Sequence, residues 1–232
     1  MRAADAHGSV LEPGELRWAM VASAAIVLLT CVPYLFGWWL RPADFMGHVY
    51  NADDPNVHLS WMRQAAEGRW LFTDRFTSEE QQPQFTHLLF LLLGKIAALF
   101  GGSYRALIAV YHCTRVLSGW GLLVAVYLLA AYVYPERLVR RWSLLTAGLS
   151  SGLGWWLTLA GRGGCSVDYG GPLLMPEAIT FFSIYTFPLF AVSMLLLVGA
   201  YFLTLRALDT GRLAYAVGAG LLAMMLGQIH AY

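Results

Sequence analysis

Asp53 and Asp54 stand side by side, with Pro55 directly after them and His58 four residues beyond Asp54. Paired carboxylates can take a proton from a hydroxyl or hold a divalent cation. Asp54 ahead of Pro55 also suits a helix cap followed by the first helical position. Asp53 has no such structural duty and is the sharper candidate for chemistry. His58 lies one helical turn above the cap. There it can share the acidic site or sit as an interfacial histidine on the polar side of the helix.

A second set of residues is basic. Arg105, His112 and Arg115 recur at i, i+7 and i+10, which on a helix puts them within an arc of roughly 80°. A charge at membrane depth is costly unless it is paired or faces a cavity. A basic stripe at a membrane surface suits a phosphate, and lipid headgroups would serve Arg105 equally well. Lys95 can snorkel to the same level. Asp168 and Glu177, separated by Tyr169, Gly170-Gly171 and Pro172, form a second acidic segment. It can close over a site or remain a solvated loop. Cys31, Cys113 and Cys165 match no metal or redox spacing and read as apolar filler.

The elements that must position these residues are membrane helices. Of the 232 residues, 58% are hydrophobic and 12% are charged, whereas soluble domains run near half apolar and a quarter charged. The net charge of +1 gives no basic surface for nucleic acid. Trp18 to Leu40 carries no charge and is too long for a signal-peptide core. Four further runs, Val116–Tyr134, Trp142–Ala160, Ser183–Leu205 and Leu213–Ile229, approach or exceed the roughly 20 residues a span needs. The expected fold is all-α and polytopic, with about five transmembrane helices. Residues 1–17 form an N-terminal tail and residues 18–232 the membrane domain. Pro188 is expected to kink the fourth span, and Gly148 with Gly152 to let another helix approach closely.

Thr86–Phe100 is apolar but short and interrupted by Lys95. If it does not span, the basic turns at Arg137-Arg140-Arg141 and Arg206-Arg212 fall on the side of the N-terminus, as the positive-inside rule prefers. It is therefore expected to lie along the outer interface. The outer segments are then residues 41–115 and 161–182. Within the first, a helix is expected from the Asp54 cap to about Glu67, stopped by Gly68. Val57, Trp61 and Ala65 give it one apolar stripe, and a polar loop follows from Trp70 to Gln84.

This order of parts resembles the start of the GT-C superfamily of membrane glycosyltransferases, which includes protein O-mannosyltransferases and aminoarabinose transferases. Asp53-Asp54 with His58 looks like the family's first acidic motif. Gln82-Pro83-Gln84-Phe85 is similar to its proline-containing entry into an interfacial helix. Phe100-Gly101 and Arg115 resemble the glycine turn and arginine before the second span. Asp168 or Glu177 matches the position of the second acidic motif. Ser151-Gly152-Leu153-Gly154-Trp155, Pro176-Glu177 and His230-Ala231-Tyr232 resemble bacterial members of the group. Gln82 departs from the lysine that aminoarabinose-type members often carry before the proline.

The resemblance implies an inverting transfer of a sugar from a polyprenyl-phosphate donor in the bacterial inner membrane to an acceptor outside the cytoplasm. Asp53 would be the general base, with Asp54 and His58 beside it. Lys95, Arg105, Arg115, Asp168, Glu177 and His230 would bind substrate. A divalent cation is compatible with the family but not required by it. Full-length members carry a further C-terminal half, so the chain is expected to be incomplete at that end. The competing readings are a lipid-binding or transport component and a fragment without activity.

Overall fold

The computed structural model describes residues 11–40, 43–150 and 179–230. Regular structure among them is helical, apart from one antiparallel bridge between Phe72 and Gln84. In chain order the helices are α1 (Glu15–Leu40), α2 (Asp53–Ala66), α3 (Leu88–Leu99) and α4 (Tyr104–Val133). They continue with α5 (Arg137–Leu149), α6 (Thr180–Thr186), α7 (Pro188–Thr210) and α8 (Leu213–Ile229). By length and composition α1, α4 and α7 can cross a bilayer, which is compatible with a membrane protein. α8 covers the expected run but has 17 residues, and α5 has 13, ending at Leu149 with Ser150 extended, so Trp142–Ala160 is not one continuous helix. The rest of Trp142–Ala160, with Gly152, lies outside the described residues.

α1 shows why such helices need no polar face. Ala19, Ser23, Ile26, Val27, Thr30 and Tyr34 turn inward. Val21, Leu28, Val32, Leu35 and Trp39 are exposed on the other side. Both faces are apolar, as expected of a helix buried between protein and lipid. α4 begins at Tyr104, well before the expected Val116, and its 30 residues span about 45 Å at 1.5 Å each. Ser103 caps it, its hydroxyl accepting from the Ala106 N–H at 3.3 Å. α3, with 12 residues, is about 18 Å long, too short for a bilayer core of about 30 Å.

Two expectations need correction. α2 starts at Asp53 with Ala52 as its cap residue, and no side chain caps it. Asp54 is therefore in the first turn and is not the cap. Both acids instead favour the positive end of the helix dipole. Gly68, at φ +102°, does follow the helix end. Second, Pro188 does not kink a continuous helix. α6 ends at Thr186, Phe187 is extended at φ −136° and ψ 144°, and Pro188 opens α7. The proline ring pushes the residue before it out of the helical region, while its own fixed φ suits a first helical position.

The bundle has two distinct ends. At one, the Arg140 guanidinium meets the Glu15 carboxylate at 3.0 Å, and Tyr127 donates to the same carboxylate at 3.2 Å. Arg137 pairs with Glu12 at 3.1 Å, and Arg141 lies over the Trp18 ring. Arg206 lies over the rings of Tyr132 and Tyr215. The N-terminus of α1 and the two basic turns thus share this end. At the other, Tyr34 donates to the Tyr185 carbonyl at 2.6 Å, Tyr104 to the Met46 carbonyl at 2.6 Å, and α2 packs on α3. Gly94 permits that packing, since a Cβ there would collide with the Met62 carbonyl oxygen and the Ala65 side chain. At the far end of α5 from the basic turn, Gly148 brings that helix onto Ile26 and Leu123.

Candidate functional site

The end opposite the basic turns holds a cavity of about 550 Å³. One wall is the face of α2 carrying Asp54, Val57, His58 and Trp61. The segment entering α3 contributes Phe85, Thr86 and His87. The break at Phe187 and the start of α7 give Phe187, Leu189 and Phe190, and the last turn of α8 closes the remaining side. The apolar stripe read from Val57 and Trp61 therefore faces this cavity, while Ala65 is buried against α3.

His58 is a buried polar group of the wall. Its ring stacks on Phe90 at 4.2 Å between centroids, and Nδ1 lies 3.0 Å from the Tyr111 hydroxyl. Burial, with smaller contributions from His87 and His48, pushes its pKa down to about 3. The imidazole is therefore neutral at physiological pH. His87 stacks face to face on Trp61 at 3.6 Å and has its pKa lowered by burial. It holds the left-handed backbone at φ +54° just before α3. Asn51 is also left-handed, at φ +40°, and its amide donates to Asp54 Oδ2 at 2.7 Å. Two positive-φ side chains at the entrances of α2 and α3 store strain next to the cavity.

The expected site residues separate. Asp54 and His58 line the cavity, whereas Asp53 is not among its lining residues, although both acids are exposed. His230 packs its ring 5.8 Å from that of Phe190, behind the cavity wall. Lys95 turns to the Trp70 ring, 4.9 Å away, and Arg105 is exposed at the start of α4. Asp168 and Glu177 lie outside the described residues. Among the described residues, no three His, Cys, Asp or Glu side chains come together as a metal site.

Arg115 is only 1% exposed and is turned into the bundle. Its NH1 donates to the Thr30 hydroxyl at 3.0 Å and to the Ile184 carbonyl at 2.9 Å. Nε donates to His112 Nδ1 at 3.2 Å, and the guanidinium lies 4.4 Å from the Tyr34 ring centroid. His112 Nε2 in turn faces the Gly47 carbonyl at 2.8 Å, so His112 is the neutral Nε2–H tautomer. In an unbroken helix the Ile184 carbonyl would accept from residue 188, but proline has no N–H. Arg115 supplies the missing donor, and Tyr34 serves the Tyr185 carbonyl beside the same break. The arc shared by Arg105, His112 and Arg115 thus brings His112 and Arg115 together without Arg105.

Sequence reasoning missed Tyr111, His87, Phe187 and Phe190. The X-Pro pair at Phe187-Pro188 was the available signal for the break that places the two phenylalanines in the cavity wall. His87 and Tyr111 had no local signal, because only tertiary packing brings them to His58. No protein-family model, curated protein or solved structure matches this chain.

Proposed function

We propose that this chain is the membrane domain of a glycosyltransferase of the GT-C kind, transferring a sugar from a polyprenyl-phosphate donor with inversion. The observation that carries the reading is the cavity itself. It joins a carboxylate, Asp54, to a wall of aromatic rings at the end opposite the basic turns. Aromatic faces suit the apolar faces of a sugar ring, and a carboxylate beside them suits deprotonation of an acceptor hydroxyl or amine.

The geometry favours Asp54 over Asp53 as the base, because Asp54 lines the cavity. The attacking oxygen or nitrogen would lose its proton to Asp54 as it bonds to the anomeric carbon. The lipid phosphate would leave with the electron pair of the broken bond. α1, α4, α7, α8 and a further segment that begins with α5 would make five spans. The basic turns would be cytoplasmic by the positive-inside rule, with the cavity on the outer face and the lipid tail between helices.

The test is transfer of radiolabelled sugar from polyprenyl phosphate by the full-length protein in lipid vesicles. Asp54→Asn should lower the rate by at least roughly a hundredfold, while Asp53→Asn keeps most of it. The reverse pattern returns the base to Asp53. Unchanged transfer in both variants removes the acid-base reading.

A further inference from the structure

Tyr111 is fully buried on α4, and its hydroxyl has one hydrogen-bond partner among the described residues, His58 Nδ1 at 3.0 Å. Either group can be the donor in that contact. If His58 donated, the phenolic proton would be left in the core without an acceptor, which is the costly arrangement for a buried polar group. If Tyr111 donates, the phenolic proton is satisfied and His58 must carry its hydrogen on Nε2. The tautomer of a histidine is set by the bond its other nitrogen makes. Nε2 has no protein partner among the described residues and is not sealed from solvent, and His58 lines the cavity.

We infer that Tyr111 acts as a positioning residue that fixes His58 as a hydrogen-bond donor, through Nε2–H, to an oxygen of a neutral polyhydroxylated ring bound in this cavity. The stacking of His58 on Phe90 and the edge of Phe187 at 5.6 Å hold the imidazole plane, so the N–H direction is preset. Trp61, one face of which is covered by His87, and Phe190 line the cavity beside that donor. No Lys or Arg is among the described lining residues. A phosphate would find no cation there, whereas a sugar hydroxyl needs only a donor or an acceptor. Burial also keeps the ring neutral, so the Nε2–H donor persists across the physiological range.

This inference rests on the glycosyltransferase reading for its biological meaning, but its test does not use transfer. The full chain, labelled with ¹⁵N-histidine, is placed in lipid nanodiscs free of sugar detergents, and the His58 signal is assigned by its loss in His58→Leu. The ring should show protonated Nε2 and unprotonated Nδ1. Tyr111→Phe should give a mixture of tautomers with the fold retained by thermal melting. Methyl glycosides should shift the Nε2 resonance in the wild-type chain and inorganic phosphate should not. Tyr111→Phe should weaken glycoside binding roughly five- to tenfold. His58→Gln, which keeps an N–H donor, should bind better than His58→Leu. If Tyr111→Phe unfolds, the wild-type tautomer and the Gln–Leu comparison still decide.

A protonated Nδ1 in the wild type overturns the positioning role of Tyr111. A shift with phosphate alone, or no shift with any glycoside near its solubility limit, overturns the ligand class. Glycoside binding without sugar transfer would leave this inference standing and sink the proposed reaction instead.

Discussion

Glu15 and Arg140 meet at 3.0 Å with side chains 0% and 3% exposed, tying the first turn of α1 to the first turn of α5. Tyr127 on α4 donates to the same carboxylate, and Arg140 also donates to the Tyr134 and Pro135 carbonyls. Charges so placed are held by geometry; removing Glu15 leaves Arg140 buried without its counter-charge, and removing Arg140 leaves Glu15, for counter-charge, only the longer contact with Arg137 at 3.8 Å. Glu15→Ala or Arg140→Ala alone should each cost about 3–5 kcal/mol. The double replacement Glu15→Ala with Arg140→Ala should cost much less than the sum of the singles. Thermal unfolding of the wild type and the three variants in nanodiscs measures this, and simple additivity would show that the pair is uncoupled.

Arg115 yields a prediction that separates a structural duty from a ligand-binding one. Arg115→Leu should destabilise the fold by about 2–3 kcal/mol, because the Ile184 carbonyl loses its donor. Adding Pro188→Ala restores a backbone N–H that can bond that carbonyl once Phe187 takes up helical dihedrals, and should recover part of the loss. Chemical denaturation of the single and double variants reads the difference. Absence of any recovery would count against the substitute-donor account.

The histidines at the cavity end predict an acid-sensitive fold. Burial lowers His58 to about 3 and His48 to about 4 from an ordinary value of 6.5, and His87 moves in the same direction. Between those limits the unfolded chain binds more protons than the folded one, so stability falls as pH drops below about 6.5. It should be nearly flat above pH ~7. Melting curves from pH ~7.5 down to ~4.5 test the slope, and His58→Phe should make it shallower even though its absolute stability is lower. Stability that rises on acidification would refute the assignment.

Gly94 predicts a steric effect. Gly94→Leu must push α2 from α3, since its Cβ would meet the Met62 backbone, and should cost about 1–3 kcal/mol. Gly220 has nothing near its missing Cβ, so Gly220→Ala should be neutral or stabilise by a few tenths of a kcal/mol. Parallel melts of the two variants provide the comparison.

The long apolar helices were legible because uninterrupted apolar runs have one physical reading at that length. Leu213–Ile229 and the C-terminal side of α2 at Gly68 were equally plain. The helix start at Asp53 was not, because Asp-Pro fits a cap and a first turn almost equally well. The extra turns of α4 were hidden by Arg105 and Arg115, which look like the border of a span when read as charges. In the folded chain one is exposed and the other is consumed by carbonyl and hydroxyl partners. Asp54 and His58, singled out by type and spacing, both line the cavity, whereas Asp53, the sharper candidate in the sequence, does not. Tyr111 could not be, since 53 residues separate it from His58 and no periodicity relates them.

The interrupted backbone at Phe187 also imposes an order on how the protein is made. The carbonyls of Ile184 and Tyr185 are satisfied by side chains of α4 and α1. A segment leaving the ribosome with those oxygens bare could not settle in lipid, where no water is present to receive them. α1 and α4 precede it in the chain, so both donors have been synthesised before the elbow appears. Vectorial synthesis thus delivers the clamp ahead of the piece it must hold. A circularly permuted chain that began at α6 would have to insert that piece with nothing waiting for it.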